Sequence, residues 1–139
     1  MIVLDTNVVS EALRPSPAPQ LLAWLDAQDP RTLFLTTVNV AELLVGAAYL
    51  PKGRRRAELE AGIAAAVAQL FGDRFLPFDL AAATAFAPMV ARARAQGVQV
   101  GFADGQIGAI AATRSYAVAT RDVGPFVAMG VAVIDPWAA

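Results

Sequence analysis

Apolar positions in this chain follow two rhythms: short unbroken runs, and longer stretches in which apolar residues recur every three or four positions. The first run, Met1-Ile2-Val3-Leu4, fits a strand buried on both faces and stops at Asp5-Thr6-Asn7. Val8, Val9, Ala12 and Leu13 then predict a helix over 7–13, with Asp5, Thr6 or Asn7 available to cap it. Pro15, Pro17 and Pro19 break that helix, and Leu21, Leu22, Trp24 and Leu25 mark a second over 20–28. Leu33-Phe34-Leu35 reads as a second buried strand, followed by Thr36-Thr37-Val38-Asn39 and a helix through Val40, Leu43, Leu44 and Ala47 to Leu50.

Beyond the break at Pro51-Lys52-Gly53, Leu59, Ile63, Val67 and Leu70 predict one long helix over 54–71. Phe75-Leu76-Pro77-Phe78 reads as an edge strand, because Pro77 has no N–H to give to a ladder. Asp79 caps a helix over 80–96 that carries Pro88 as a kink and closes at Gly97. Phe102-Ala103-Asp104 leads into a helix of small residues over 105–112, whose lack of bulk implies close backbone packing on a sheet. A strand at 117–119, ending in Thr120-Arg121-Asp122, and another at 131–134 complete the pattern. Alternating strands and helices predict a single α/β domain over 1–139, a small parallel sheet of four or five strands with helices on both faces.

Composition narrows the chemistry. The chain has no cysteine and no histidine, which removes disulfides, thiolate zinc sites, Ser-His and Cys-His nucleophile pairs and histidine general bases. Catalysis would have to run on carboxylates, hydroxyls, amides, Lys or Arg, or a hard metal ion held by oxygen. A net charge of −1 gives no overall basic character, so a nucleic-acid partner would need a local patch. The hydrophobic fraction of 57% exceeds that of an ordinary small domain and suggests surface buried against another chain. No apolar run approaches the roughly 18 residues of a membrane span, and no basic segment precedes the first run. A cytoplasmic protein that does not engage a membrane is the expectation.

Four acids fall into one arrangement. Asp5 follows the first strand, Glu42 lies in the first turns of the helix after the second, and Asp122 follows the 117–119 strand. In an open parallel sheet these three share the carboxyl edge, where ligand sites form. Asp104 joins them if its helix starts on that side. Carboxylates brought together repel, and burying them without a counter-ion is costly; a divalent cation resolves the conflict. Oxygen-only ligands favour Mg²⁺ or Mn²⁺, which polarise a phosphodiester and supply a hydroxide near neutral pH. Each acid also has an ordinary use: Asp5 and Asp104 as helix caps, Glu42 as an acid favoured by the helix dipole, Asp122 as a turn residue. Asp26, Glu58 and Glu60 read as solvated, and Asp73 and Asp79 as turn and cap residues.

Leu4-Asp5-Thr6-Asn7, Ala41-Glu42-Leu43, Ala103-Asp104 and Ala119-Thr120-Arg121-Asp122, with the closing Asp135-Pro136-Trp137, resemble the motifs of PIN-domain ribonucleases. The likeness is to the VapC/FitB-like toxins of bacterial toxin–antitoxin pairs and spans the whole chain. It implies a metal-dependent endoribonuclease in which Asp5, Glu42, Asp104 and Asp122 hold one or two Mg²⁺ or Mn²⁺ ions. Thr6 or Asn7 would orient Asp5, and Thr120 would contact the metal-bound water or phosphate. Hydrolysis would leave a 5′-phosphate and a 3′-hydroxyl. Many relatives carry Asn where Asp122 stands and their acid three residues later, where this chain has Pro125; the shifted acid resembles the FitB-like branch. Asn39 stands where relatives often carry a hydroxyl residue.

The same resemblance implies a homodimer and a small cognate antitoxin whose N-terminal domain binds operator DNA. The antitoxin's tail would cover an apolar groove and present a basic residue to the acids. Lys52, Arg54, Arg55 and Arg56 form the one basic cluster, at a helix N-terminus where positive charge opposes the dipole. It is open to two readings, RNA phosphate contact or a solvated helix end, and Arg92 and Arg94 read as helix surface. Rival functions fit less well. A receiver-like or nucleotide-binding module would need a second acid beside Asp5 or a glycine-rich phosphate loop, and neither occurs. A phosphotransferase with an aspartyl nucleophile would want a second Asp beside Asp5. A weakly catalytic scaffold acting with its partner on operator DNA is the remaining alternative.

Overall fold

Five parallel strands carry the fold: β1 (Ile2–Leu4), β2 (Leu33–Thr36), β3 (Phe75–Leu76), β4 (Ala117–Ala119) and β5 (Val133–Ile134). In the computed structural model, which describes all 139 residues, they lie in the order β3-β2-β1-β4-β5. β1 is central, with Ile2 opposite Leu33 on one side and Ala117 on the other. β3 is an edge strand, as Pro77 implied. The chain builds outward from β1 in one direction through β2 and β3, then returns to add β4 and β5 on the other side. The crevice at the carboxyl ends of β1 and β4 is therefore a topological switch point, where open α/β sheets bind ligands.

The strand residues alternate between two cores. Val3 and Val118 face a cluster with Ile107, Ile110, Phe126 and Met129. Leu4, Ala119, Leu33 and Leu35 face another with Val8, Val9, Leu21, Leu43, Ala47 and Ile63. The first core is roofed by α5 (Leu80–Ala95), α6 (Phe102–Thr113) and α7 (Val123–Ala128). The second is roofed by α1 (Thr6–Ala12), α2 (Pro19–Asp26), α3 (Thr37–Ala48) and α4 (Arg54–Ala65). Burying each large apolar side chain contributes about 1.5–3 kcal/mol, so the two layers hold the sheet rigid between them. The small residues of α6 allow close packing against neighbouring helices rather than the sheet: a Cβ on Gly105 would stand 2.6 Å from the Phe86 ring of α5. No helix is long and apolar enough to cross a membrane.

Several boundaries differ from the sequence reading. Residues 123–128 form α7, where the sequence pattern predicts no element. Pro125 is its third residue, in the first turn, where a missing N–H costs no intrahelical bond. Val131 closes that helix, donating its N–H to Phe126 O at 3.0 Å after Gly130 at φ +85°, so β5 is shorter than 131–134. The 54–71 segment is α-helical only to Ala65 and widens into a π-helical turn over Ala66–Phe71. Pro19 starts α2 instead of ending the break, being preset for the first helical position. α6 begins at Phe102, which puts Asp104 inside its first turn.

Candidate active site

Asp5 leaves β1 at the switch point and is 4% exposed. As the N-cap of α1 it accepts the Thr6 N–H on Oδ1 at 2.8 Å. Its Oδ2 accepts the Thr120 hydroxyl at 2.8 Å and, at a longer 3.4 Å, Asn7 Nδ2. Asp5 thus caps α1 with one oxygen and is held by Thr120 and Asn7 through the other. Thr120, fully buried at the end of β4, also accepts from Asn7 Nδ2 at 3.2 Å and from the Asp122 N–H at 3.0 Å. Its single proton is committed to Asp5.

A second relay holds Glu42, on α3. Its Oε1 accepts the Thr6 hydroxyl at 2.7 Å, and Thr6 Oγ1 accepts from Asn39 Nδ2 at 3.0 Å. Asn39 and Thr36 form a reciprocal capping box at the start of α3: Asn39 Oδ1 takes the Thr36 N–H at 2.9 Å and its hydroxyl at 2.7 Å. Thr6 therefore orients Glu42 through its side chain and Asp5 through its backbone. In the sequence Asn39 stands out only as a departure from relatives. The signal that would have found it is Thr36 three residues before Asn39 at a strand-to-helix junction, with Asn in place of the usual Glu or Gln.

Asp104 and Asp122 are held differently. Asp104 projects from the first turn of α6, where Gly101 and not Asp104 is the N-cap. Asp122 occupies the N-cap position of α7, yet its side chain caps nothing and is exposed. Neither carboxylate accepts a hydrogen bond from the chain, so neither caps its helix. All four acids line one cleft of about 470 Å³, together with Thr6, Asn7, Ser10, Glu11, Arg14, Arg121 and Trp137. None of the four is ion-paired with a basic side chain.

The electrostatics carry that imbalance. Burial pushes the Asp5 carboxyl above its ordinary range against the hydrogen bonds from Thr120 and Thr6, and the charges of Glu42 and Asp122 add to the rise. Burial first, then the charges of Asp5, Glu42 and Asp122, lift Asp104 to about 6. The donor set, oxygen alone and rich in negative charge, fits a hard divalent cation. No three acids stand as a ready-made ligand cage.

An apolar groove of about 400 Å³ between α1, α3 and α4 opens into the cleft, sharing Ser10, Arg14 and Glu42 with it. Leu13, Leu43, Ala47, Leu50, Leu59 and Ile63 line it. The basic cluster is dispersed: Arg54 pairs with Glu58 at 2.8 Å and Arg56 with Glu60 at 2.7 Å. Arg55 lines the apolar groove, and none of the cluster reaches the acids.

Residues 2–130 match the PIN domain family model. The chain is 45% identical to plasmid stability protein StbB of Pseudomonas syringae pv. tomato, with all of both chains covered. It is 44% identical to VapC ribonuclease Y4jK of Sinorhizobium fredii, over 99% of this chain and 98% of that one. Among solved structures, FitAcB from Neisseria gonorrhoeae superposes with a TM-score of 0.93 at 42% identity over all of both chains. FitAB bound to an IR36 DNA fragment gives 0.92 at 42% identity, over 99% of this chain and 96% of that one.

Proposed function

The chain belongs to the PIN-domain family, among its VapC/FitB toxins of toxin–antitoxin pairs, and on that premise we propose that it is a metal-dependent endoribonuclease acting through Asp5, Glu42, Asp104 and Asp122. One observation carries the reading: four carboxylates line one cleft at the switch point without a basic side chain paired to any of them. Asp5 and Asp104, with Glu42 and Asp122, would hold one or two Mg²⁺ or Mn²⁺ ions. Such an ion supplies charge neutralisation at the phosphodiester and an activated water.

The chain's own residues do the positioning. Thr120, Thr6 and Asn7 hold Asp5 with both oxygens directed, and Thr6 backed by Asn39 holds Glu42. Supporting hydrogen bonds of this kind tune ligand basicity and geometry. Asp104 and Asp122, free of such bonds, adjust to the substrate. The phosphodiester backbone of RNA would cross the cleft, and hydrolysis would separate a 5′-phosphate from a 3′-hydroxyl.

The partner is a cognate antitoxin that binds operator DNA, as in the DNA-bound FitAB assembly. Its tail would lie in the α1–α3–α4 groove, whose apolar lining suits such a segment and whose end opens at Glu42. Homodimerisation fits the apolar side chains left exposed on α3, Leu44 and Val45, with Tyr49 beyond its end.

The test is thermal unfolding of wild type and Asp5→Asn, each with EDTA and with Mn²⁺, followed by cleavage of single-stranded RNA. Asn caps a helix as well as Asp, so Asp5→Asn should be at least as stable as wild type without metal. Mn²⁺ should raise the wild-type midpoint by mass action and the variant's less. If Mn²⁺ shifts neither protein and no RNA is cut, the scaffold reading, acting with the partner on operator DNA, replaces this one.

A further inference from the structure

Of the two arginines in the acidic cleft, Arg121 alone lacks a carboxylate partner. Arg14 pairs with Glu11 at 3.3 Å, so its charge is balanced before any ligand arrives. Arg121 forms no ion pair, although Asp122 follows it in sequence and four more acids line the same cleft. Its guanidinium lies instead over the Trp137 ring, 5.1 Å from the centroid.

This arrangement is anchored at both ends. The Arg121 backbone N–H donates to Asn7 Oδ1 at 3.3 Å, and Asn7 in turn donates to Asp5 and Thr120. Trp137 packs against the apolar layer beneath α1 to α4, and its backbone N–H donates to Asp135 Oδ1 at 2.9 Å in the turn after β5. Stacking engages a face of the guanidinium and leaves its edge donors free for an anion. A cation kept off the neighbouring carboxylates, and fixed relative to Asp5, is placed to read where a phosphate lies with respect to the acids.

We propose that Arg121, supported by Trp137, binds a backbone phosphate of the RNA strand at the rim of the cleft and so sets which bond reaches the four acids. The proposal rests on the ribonuclease reading of the same cleft. Neither residue contacts the reacting atoms; Arg121 holds the strand and Trp137 holds Arg121.

The test measures binding without turnover. Anisotropy of a labelled single-stranded RNA is followed on the full-length Asp104→Asn chain, free of any partner, with Mg²⁺ across a salt series. Adding Arg121→Gln should weaken binding about tenfold and reduce the slope of log affinity against log salt by about 0.7, the loss of one single-strand phosphate contact. Arg121→Lys should keep the slope and lose part of the affinity. Trp137→Leu should weaken binding less than Arg121→Gln does, and Trp137→Phe should match the parent. Unchanged affinity and slope in Arg121→Gln overturn the proposal.

Steady-state cleavage by Arg121→Gln in the otherwise native chain separates this from the parent reading. KM should rise about tenfold while kcat stays within about twofold. If wild type cuts RNA and Arg121→Gln has the native KM, the Arg121 site fails and the ribonuclease stands. If wild type cuts nothing but still binds RNA through Arg121, the ribonuclease reading fails and the phosphate site stands.

Discussion

The Thr120 hydroxyl donates to Asp5 Oδ2 at 2.8 Å, tying the carboxyl ends of β4 and β1 together across the switch point. Both residues are buried, and 115 positions of sequence separate them. The bond favours the ionised form of Asp5 against its burial, which is the form a cation needs.

Thr120→Val removes that donor and leaves the shape of the site intact. Asp5 would titrate higher still, and a buried acceptor would lose a partner at a cost of about 1–3 kcal/mol. The apparent Mn²⁺ affinity, read from the midpoint shift on titration, should fall about 10–100-fold. Thr120→Ser should restore most of it, because the hydroxyl and not the methyl does the work. A Thr120→Val protein with native Mn²⁺ affinity would remove Thr120 from the site.

The raised Asp104 makes metal-free stability depend on pH in a definite direction. Its folded value of about 6 lies above the ordinary 3.8, so between those values the native state keeps a proton that the unfolded chain has released. The native state binds more protons there, and stability falls as pH rises from about 4 to about 6 and is flat above. Asp5 acts in the same sense. After discounting for its half-exposed setting, Asp104 accounts for about 1 kcal/mol of that loss. Asp104→Asn should be more stable than wild type by that amount at pH 7 in EDTA, and equal to it at pH 4. Denaturant unfolding at the two pH values decides it, and saturating Mn²⁺ should reverse the order at pH 7.

How far this site was legible follows from how each residue is held. Asp5, Glu42 and Asp122 lie just beyond strands, or on the helix after one, whose apolar pattern is visible, so a parallel sheet gathers them; Asp104 joins because α6 starts at Phe102. The supporting relay was not legible, because Asn39 reaching Thr6 and Thr120 reaching Asp5 are long-range contacts between polar residues with no periodic signature. α7 escaped for a local reason: Gly124 and Pro125 are poor helix formers, and only their place in the first turn makes them harmless. Arg121 carried no signal of its own, since its partner Trp137 arrives from another strand's end.

Asn39→Ala probes the hidden relay. It strips the Thr36 backbone N–H and hydroxyl of their acceptor and Thr6 of a donor, all in a buried setting. A loss of about 2–4 kcal/mol in unfolding free energy is expected, since several buried polar groups are left unmatched. Asn39→Ser would restore only part, because a hydroxyl cannot reach both partners. If Asn39→Ala cost under about 1 kcal/mol, Glu42 would be positioned by Thr6 alone.

Asp79 and Asp122 occupy the same formal place at the starts of α5 and α7, but only one of the two side chains caps its helix. Asp79 accepts the Ala82 N–H at 2.9 Å, whereas Asp122 accepts nothing from its helix. Asp79→Ala should therefore cost about 1 kcal/mol of stability with no effect on the Mn²⁺-induced midpoint shift. Asp122→Ala should fall within about 0.5 kcal/mol of wild type in EDTA, since no capping bond is lost. It should nonetheless shrink the Mn²⁺ shift and the rate of RNA cleavage together. The contrast uses two substitutions of identical chemistry, so a general effect of deleting a carboxylate at a helix start would move both alike. If Asp122→Ala leaves metal response and cleavage untouched, the cleft works with three acids, and the charge at position 122 serves only to raise its neighbours.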